Sequence, residues 1–325
     1  MTETEDWAFP AAAQPKPDQV GFDLDRVLSS VLTLRSEVPE DAFTAPILGT
    51  ERGGNGVVIS AEGLVLTIGY LIAEATSVWL VSDAGTAMPA HVVGYDQVTG
   101  FGLVQALGRL GVPALELGHS ADSKVGDRVI VAGQGGRRHA LNARVVSKRE
   151  FAGYWEYVLD EAIFTAPPHP SWGGAALIGL DGRLQGIGSL LVQDAREPAV
   201  PRDGNMVVPI DLLPPILDDM LKYGKVNRPP RPWLGIYATE AQSHLVVAGL
   251  AGGAPADQAG IRVGDIVLEV ADRPVAGLAE MFRSIWALGP AGTEVPLTVS
   301  RDGDPVKIHV RSADRNEFLK TPSVH

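Results

Sequence analysis

The chain has 325 residues, a net charge of −12 and no cysteine. That length exceeds what one compact core usually serves, so two or three domains are expected. The negative charge argues against an extended contact with nucleic acid or with an anionic membrane, and the absence of cysteine excludes disulfides, thiolate catalysis and cysteine-ligated zinc.

Residues 1–20 are acidic and contain prolines, and they include no apolar stretch of the kind that secretory signals carry. We predict a disordered or loosely attached arm there. The longest apolar run, Leu64–Ala73, is too short to span a bilayer, so no membrane insertion is expected. These features predict a cytoplasmic protein, or a periplasmic one if the true start codon lies elsewhere.

Short apolar or alternating runs recur between Gly56 and Pro209, and glycine, proline, aspartate or asparagine separates most of them. Val57–Ser60, Leu64–Ile68 and Arg128–Ala132 are representative runs. Their length and spacing are typical of the strands of a barrel or a sandwich. An all-β domain is therefore predicted for this part of the chain.

A helix is predicted over Asp211–Tyr223, because its first residue suits the N-cap position and a glycine follows its last turn. Its two prolines fall in the first turn, where a missing N–H costs little. The next segment, Asn227–Pro232, reads NRPPRP and predicts a stiff, extended linker. Residues 211–232 therefore mark the clearest domain boundary.

The pattern becomes mixed α/β over residues 233–312. Two strand-like runs precede a helical pattern at Leu278–Leu288. A closing hairpin is predicted around Asp302 and Gly303, since an Asp-Gly pair favours a tight turn between two strands. Residues 313–325 are polar and predict a flexible tail.

Four segments follow one another in a characteristic order. They read GNGVVISAEGLVLTIGYLI (54–72), YDQVTGFGLV (95–104), PSWGGAALIGLDG (170–182) and MVVPIDLLPPILDDMLKYGKVNRPPRPWLGI (206–236). Together they resemble the HtrA (Deg) family of trypsin-like serine proteases with C-terminal PDZ domains. In that family the first two stretches hold the catalytic histidine and aspartate, the third is the nucleophile turn, and the fourth leads into the PDZ domain.

The resemblance implies a mainly β fold, with a chymotrypsin-like double β-barrel followed by an α/β PDZ domain. For this sequence it gives a degenerate protease domain at residues 21–210 and a linking helix with a proline-rich linker at 211–232. The PDZ domain is then expected at residues 233–312, between the linker and the tail at 313–325. The arm at residues 1–20 precedes the protease domain.

Three positions where the family carries its catalytic residues hold other residue types here. Tyr70 takes the place of the histidine, Gly100 that of the aspartate and Trp172 that of the serine. A phenol with a pKa near ~10 is a poor general base at neutral pH, glycine has no side chain, and an indole cannot attack a carbonyl. Pro170 lies where the family uses a second oxyanion N–H, which proline lacks. The resemblance therefore implies a site without catalytic residues.

A neighbouring serine leaves one alternative open. Ser171 adjoins Trp172 but would need a base, and His169 is the histidine close to it in sequence. Because so close a pair rarely meets with hydrogen-bond geometry, we predict an exposed loop histidine. Asp96 has no histidine at position 70 to orient and is predicted to serve a turn or the surface. The alternative function is an active serine endopeptidase of the HtrA type with an atypical centre.

No group of histidine, aspartate or glutamate residues shows the spacing of a metal site, so neither a metal nor a cofactor is predicted. The glycine-rich runs at 53–56 and 133–136 do not open a helix after a strand, as a nucleotide-binding loop would. We interpret both runs as barrel corners or loops.

The segment RPWLGI at Arg231–Ile236 resembles the carboxylate-binding loop of PDZ domains. Its backbone N–H groups would form a nest for a terminal carboxylate, beside a strand edge to which a peptide adds. An alternative is that the helix residues among the candidates pack the core while Phe282 or Trp286 faces the groove. A second alternative is that the tryptophan of the loop only clamps the linker. The candidate peptide-binding residues are Trp233, Leu234, Gly235, Ile236, Met281 and Ile285.

These features predict a non-catalytic HtrA-like pseudoprotease that binds polypeptide C-termini or unfolded, extended segments through its PDZ domain, as an adaptor, scaffold or regulator. Candidate assemblies are a homotrimer, which the resemblance implies, and a complex with an active paralogue. The rim strand Leu184–Val192 is a second candidate surface for an extended chain. A structural role is a further alternative, with the PDZ groove occupied by the terminal residues TPSVH of the chain itself.

Overall fold

A computed structural model describes residues 7–193, 203–241 and 244–320. The chain divides into two compact units. Among the described residues, the first unit holds those up to Arg149 together with Glu161–Val226. The second holds Glu150–Asp160 together with Asn227–Lys320. The first unit is built mainly of β-strands, and the second combines β-strands with helices, as the sequence predicts.

The first unit begins with one closed barrel of six strands. On its first strand Leu32 and Leu34 are buried, while Arg35, which directly follows Leu34, is exposed. Successive side chains of a strand point to opposite faces. The strands are β1 (Val31–Glu37), β2 (Glu51–Val58), β3 (Leu64–Ile68), β4 (Ser77–Val81), β5 (Ala87–Tyr95) and β6 (Phe101–Ala106). They run in the order β1-β2-β3-β6-β5-β4, and pairing of β1 with β4 closes the barrel. Two short helices, α1 (Leu24–Leu28) and α2 (Ala45–Leu48), precede and follow β1.

A second closed barrel completes the first unit. Its strands are β7 (Arg128–Ala132), β8 (Ala140–Gly153), β9 (Tyr157–Ala166), β10 (Ala176–Ile178), β11 (Leu184–Val192) and β12 (Gly204–Pro209). Their order is β10-β11-β12-β9-β8-β7, and β10 pairs with β7 to close the barrel. Small and branched side chains from five of these strands fill a shared core, among them Val129, Val131, Val145, Ile163 and Leu177. The predicted double barrel is therefore confirmed.

Helix α3 (Pro214–Tyr223) follows the second barrel, with Ile216 and Met220 buried one turn apart. Gly224 ends it in the left-handed conformation, as predicted. The prediction that Asp211 caps its N-terminus was wrong. Asp211 lies in a short 3₁₀ turn before the helix and accepts a hydrogen bond from the Ala121 N–H at 2.8 Å instead.

Residues 7–19 lie against the second barrel, which differs from the loosely attached arm predicted for residues 1–20; residues 1–6 lie outside the described residues. The Phe9 N–H donates to the Arg138 carbonyl at 2.9 Å, and the Asn142 N–H donates to the Ala13 carbonyl at 2.9 Å. The Asn142 side chain donates to the Gln14 carbonyl, also at 2.9 Å. These backbone partners hold a polar segment that its composition alone did not predict to be ordered.

The second unit contains a sheet in the order β13-β14-β15-β17-β18, with a short strand β16 paired to β15. The turn between its last two strands has positive φ at Asp302 and Gly303, so the predicted hairpin is confirmed with its Asp-Gly turn. The strands are β13 (Ile236–Ala241), β14 (His244–Leu250), β15 (Ile266–Val270), β16 (Arg273–Pro274), β17 (Glu294–Arg301) and β18 (Asp304–Arg311). The helices are α4 (Pro255–Gln258) and α5 (Leu278–Trp286).

Residues 150–160, the end of the β8–β9 hairpin, belong to the second unit, although we predicted them within the protease domain. Val158 joins the apolar core that also contains Leu234, Ile236 and Phe282. This packing is long-range in sequence, so the local strand pattern gave no sign of it. Among the helices of the described residues, none has the length and apolar character needed to cross a bilayer.

Candidate functional site

The turn that corresponds to the family's nucleophile segment lies between β9 and β10. The Asn55 N–H of β2 donates to the Gly173 carbonyl at 2.8 Å, and the Gly174 N–H donates to the Gly188 carbonyl at 2.9 Å. Gly174 has φ +76°, and a Cβ there would lie 1.9 Å from the Asn55 carbonyl oxygen. Only glycine fits that backbone position, so the turn is held closely against the first barrel.

Tyr70 lies beside this turn, in the 3₁₀ turn Gly69–Leu71 that follows β3. Its hydroxyl donates to the Ser189 carbonyl at 2.8 Å and also bonds the Trp172 side chain. A Cβ on Gly173 would lie 2.8 Å from the same hydroxyl, so the tyrosine reaches the turn directly. Burial raises the pKa of Tyr70 well above its usual range, and the phenol therefore keeps its proton at neutral pH.

Gly100 lies next to the base of the Tyr70 turn. It has φ +83° and closes the β5–β6 connection, where its N–H donates to the Asp96 carbonyl at 2.8 Å. Its own carbonyl accepts a hydrogen bond from the Gly69 N–H at 2.7 Å. The Asp96 side chain accepts hydrogen bonds from the N–H and hydroxyl of Thr99, at 2.9 and 2.8 Å, which is the turn role predicted for it. The structure thus brings Gly100, Tyr70 and Trp172 together.

His169 is fully buried, so the prediction of an exposed loop histidine was wrong. Its Nε2 donates to the His139 carbonyl at 2.9 Å, and its Nδ1 accepts from the Ser171 N–H at 3.1 Å. Burial lowers the pKa of His169 and favours the neutral ring. The Ser171 hydroxyl accepts instead from the Asn55 amide at 3.1 Å. Both ring nitrogens are therefore occupied by backbone groups rather than by the serine hydroxyl.

A cavity of about 680 Å³ opens beside these residues. Its walls include Trp7, Tyr70, Trp172 and the glycines at 53, 54 and 173. The Trp7 ring stacks on His139 with centroids 4.5 Å apart, and the Trp7 carbonyl accepts from His139 Nε2 at 2.6 Å. Sequence reasoning missed Trp7, although an aromatic pair, Trp7 and Phe9, in an otherwise polar arm was a usable signal.

Within the described part of the chain, no three acidic or histidine side chains are grouped closely enough to hold a metal ion.

A second candidate site lies in the second unit, at Leu234–Ile236. Gly235 has φ +77°, and a Cβ there would lie 2.4 Å from the Ala254 Cβ. This conformation points successive N–H groups the same way, and they converge on one side chain, that of Glu156. The N–H of Gly235 donates to Glu156 Oε1 at 2.7 Å, and those of Leu234 and Ile236 donate to it at 3.1 Å each. The predicted nest is thus present, and a carboxylate from residues 150–160 fills it.

Glu156 is buried and is itself in the left-handed region, with φ 60°. Burial raises the pKa of Glu156 to about 7, although the three N–H groups and the charge of Arg315 favour the ionised form. Two residues earlier, the Tyr154 carbonyl accepts from the Ala238 N–H of β13 at 3.3 Å. Nothing in the sequence pattern singled out Glu156, because its partners lie about eighty residues away.

The other candidate peptide-binding residues take structural positions. Met281 and Ile285 lie one turn apart on α5 and are buried in the core of the second unit together with Phe282. Core packing, one of the alternatives left open by the sequence, is therefore what the structure has. Trp233 exchanges two 3.0 Å backbone hydrogen bonds with Ala313 and lays its ring 4.9 Å from that of Phe318.

Two domain families match the chain. The model of the trypsin-like peptidase domain matches residues 54–187, and that of the PDZ domain matches residues 232–311. Serine protease PepD of Mycobacterium tuberculosis is 29% identical over 313 residues, which cover 88% of this chain and 64% of that protein. A probable periplasmic serine endoprotease DegP-like of Ectopseudomonas mendocina is 26% identical, covering 79% of this chain and 55% of the relative. The chain thus spans less than two thirds of the length of these relatives.

Solved structures give the same fold. The HtrA-type protease AlgW with a tripeptide superimposes with a TM-score of 0.52 at 19% identity, covering 95% of this chain and 99% of that one. A serine endoprotease from Yersinia pestis gives a TM-score of 0.51 at 20% identity, covering 91% and 99%. The double barrel and the sheet of the second unit define a protein with a trypsin-like peptidase domain and a PDZ domain. In its two domain matches and its relatives, the chain is similar to proteins of the HtrA family.

Proposed function

We propose that this chain is a non-catalytic HtrA-family pseudoprotease that binds polypeptide through its PDZ domain, as an adaptor, scaffold or regulator. The observation that carries the proposal is the hydroxyl of Tyr70, which donates to the Ser189 carbonyl beside the nucleophile turn. A general base must have a free lone pair facing the nucleophile's proton. Here a protonated phenol occupies that place and faces an indole.

The loss extends over every part of an acyl-transfer centre. Trp172 offers only an N–H donor, Gly100 has no carboxylate, and Pro170 has no N–H for an oxyanion. Triad members act as a unit, so one loss already removes most of the rate. Four losses in one site are why we propose binding rather than hydrolysis.

The alternative of an active endopeptidase centred on Ser171 is the weaker one. Its hydroxyl accepts from the Asn55 amide, and the neighbouring imidazole of His169 has its nitrogens on the Ser171 N–H and the His139 carbonyl. To act as base, that imidazole would have to release one of these backbone groups. A buried imidazole with no hydrogen bond to the hydroxyl does not activate it.

Three convergent N–H groups at Leu234–Ile236 support polypeptide binding by the PDZ domain, because such a nest binds a carboxylate. We assign the ligand's carboxylate to these residues, whereas Trp233, Met281 and Ile285 hold structural positions in the same unit. C-termini or unfolded segments are the proposed ligands, and a homotrimer or an active paralogue the proposed assembly. A cytoplasmic location stays a prediction, since one relative named above is periplasmic.

The test of the enzymatic part uses the full chain, unfolded casein and a fluorophosphonate probe, with an active HtrA-type protease as positive control. We expect neither cleavage nor labelling. Labelling of the wild-type chain that Ser171→Ala abolishes would overturn the proposal and establish the atypical centre.

A further inference from the structure

The carboxylate nest of the PDZ domain is already filled by the chain's own Glu156. One side-chain oxygen, Oε1, accepts from the N–H groups of Leu234, Gly235 and Ile236, and the second lies 3.2 Å from the Leu234 nitrogen. A free C-terminus presents the same group, a carboxylate with two oxygens, to the same donors. The two carboxylates therefore cannot occupy the nest together.

The backbone of the same segment takes the next position of a peptide ligand. Ala238 belongs to β13, which lies at one edge of the sheet. Its N–H donates to the Tyr154 carbonyl at 3.3 Å, and the Tyr154 ring meets the Tyr237 ring edge-to-face at 6.0 Å. Strand addition uses such edge N–H groups, at alternate residues of the ligand. Residues 154–156 thus occupy the nest and also bond an edge N–H group of β13 to which an added peptide strand would bind.

Two further contacts hold residues 150–160 in place. Arg283 of α5 pairs with Glu150 and with Asp160, the latter at 2.5 Å, so both strands of the hairpin are joined to the helix. Val158 is buried in the same core as Ile236. The ion pairs are exposed and contribute little by themselves. The apolar contact and the filled nest contribute more.

The backbone of Glu156 indicates that this fit is specific. A residue other than glycine is strained in the left-handed region, and such residues persist where the surroundings fix them. A glycine would adopt the turn without that strain. The three hydrogen bonds to the side chain account for the glutamate.

We propose that the PDZ domain is self-liganded: residues 154–156 occupy the site of a C-terminal peptide, and an external terminus binds only by displacing them. This inference rests on the proposed polypeptide-binding function. The displacing partner is a polypeptide with a free α-carboxylate. The self-ligand proposed is this internal hairpin. The terminal TPSVH segment considered from the sequence, residues 321–325, lies outside the described residues.

The experiment compares the full-length wild type with Glu156→Ala and Glu156→Gln, and uses Glu317→Ala, an exposed glutamate of the same unit, as matched control. Amide exchange of residues 153–157 and 234–236 is followed by mass spectrometry. Binding is measured to a library of decapeptides with free C-termini and to the same peptides with amidated ends. Circular dichroism checks folding, and Glu156→Asp, whose shorter side chain withdraws the carboxylate from the nest, serves if the alanine variant is unfolded.

We expect Glu156→Ala to exchange faster at residues 153–157 and to bind free-carboxylate peptides roughly tenfold more tightly than the wild type, since the competing ligand is removed. Glu156→Gln, an uncharged match for the protonated carboxyl, should stay docked, and Glu317→Ala should behave as the wild type. Unchanged exchange in Glu156→Ala, or an affinity equal to that of the wild type, overturns the self-ligand and leaves polypeptide binding intact. Faster exchange with no peptide retained by any variant supports the self-ligand and overturns polypeptide binding.

Discussion

Tyr70 shows how a single side chain can stabilise the turn beside it. Its ring is half-buried, and its hydroxyl satisfies the Ser189 carbonyl across the turn. A buried carbonyl that loses its donor keeps the cost of its desolvation. The hydroxyl therefore has a structural value that is separate from any role in proton transfer.

Replacing Tyr70 by phenylalanine removes that hydroxyl and keeps the ring. We expect Tyr70→Phe to lower the free energy of unfolding by about 1 kcal/mol, because one partly buried hydrogen bond is lost. Urea denaturation measures the change. Tyr223→Phe, at a half-exposed tyrosine of the same unit, is the control and should change little. Equal stability of Tyr70→Phe and the wild type would contradict this account of the hydroxyl.

Glu156 has a pKa raised to about 7 from an ordinary value of 4.5, because burial disfavours its charged form. Proton binding therefore stabilises the docked hairpin. That contribution is fully present below pH ~4.5 and is lost as the pH rises through about 7. The charged and titratable groups that face it are Arg315 and Tyr237, and the Tyr154 ring meets the Tyr237 ring edge-to-face.

From this linkage we expect protection of the amides at 234–236 to be greater at pH 5.5 than at pH 8. Hydrogen exchange measures it, with protection factors corrected for the intrinsic rate at each pH. Glu156→Gln, which does not titrate, should show no such difference. A wild-type chain whose protection is the same at both pH values would contradict the buried, titrating carboxyl.

At the scale of elements, the nucleophile turn is held by glycine geometry. Gly174 combines a positive φ with a carbonyl oxygen 1.9 Å from where its Cβ would be. The oxygen belongs to the backbone of β2, which cannot move aside without breaking the barrel pairing. Gly111 also has a positive φ, +72°, but has no atom within 4 Å of that position. Substitution of the two glycines therefore distinguishes the free-energy cost of a positive φ from the cost of a steric clash with the backbone.

We expect Gly174→Ala to destabilise the first unit by about 3 kcal/mol or more, since a backbone clash adds to the conformational cost. Gly111→Ala should cost only about 1 kcal/mol. Thermal and urea unfolding of the two variants provide the comparison. Similar losses in both would mean that the turn yields and that the close approach is not structurally required.

Elements were the part of the fold that the sequence predicted best. Strands of both barrels and the hairpin after β17 follow from apolar alternation and turn residues, which are local signals. The start of α3 was misplaced by one turn, because Asp211 has a donor, the Ala121 N–H, that no local pattern includes. The direction of α5 was left open, because Met281, Phe282 and Ile285 are all apolar and all buried.

At the scale of the whole molecule, the chain has two compact units with separate apolar cores. Cores of separate units lose stability separately when one is damaged. Phe282 is fully buried in the second unit and stacks on Trp286, so its truncation leaves a large cavity there. The division into two units can therefore be tested by measuring in which unit the backbone amides lose protection from hydrogen exchange.

We expect Phe282→Ala to cost the second unit about 3–5 kcal/mol. Hydrogen exchange should show reduced protection across β13–β18 and residues 150–160, while β1–β12 outside that hairpin keep theirs. Val263→Ala, at an exposed position of the same unit, is the control. An equal loss of protection in both units would contradict the division of the chain.

The sequence by itself determined an all-β domain, a linking helix, a small α/β domain and the residue types at positions 70, 100 and 172, because each depends on local periodicity or on residue identity. The double barrel and the PDZ domain were implied by the resemblance of its motifs to a known family. Only the tertiary structure decided that His169 is buried, that Trp7 lines the cavity and that Glu156 fills the carboxylate nest. These three features depend on contacts between segments far apart in the chain. Periodicity indicates which face of a helix or strand is apolar, whereas the packing of the elements determines which distant residues come into contact.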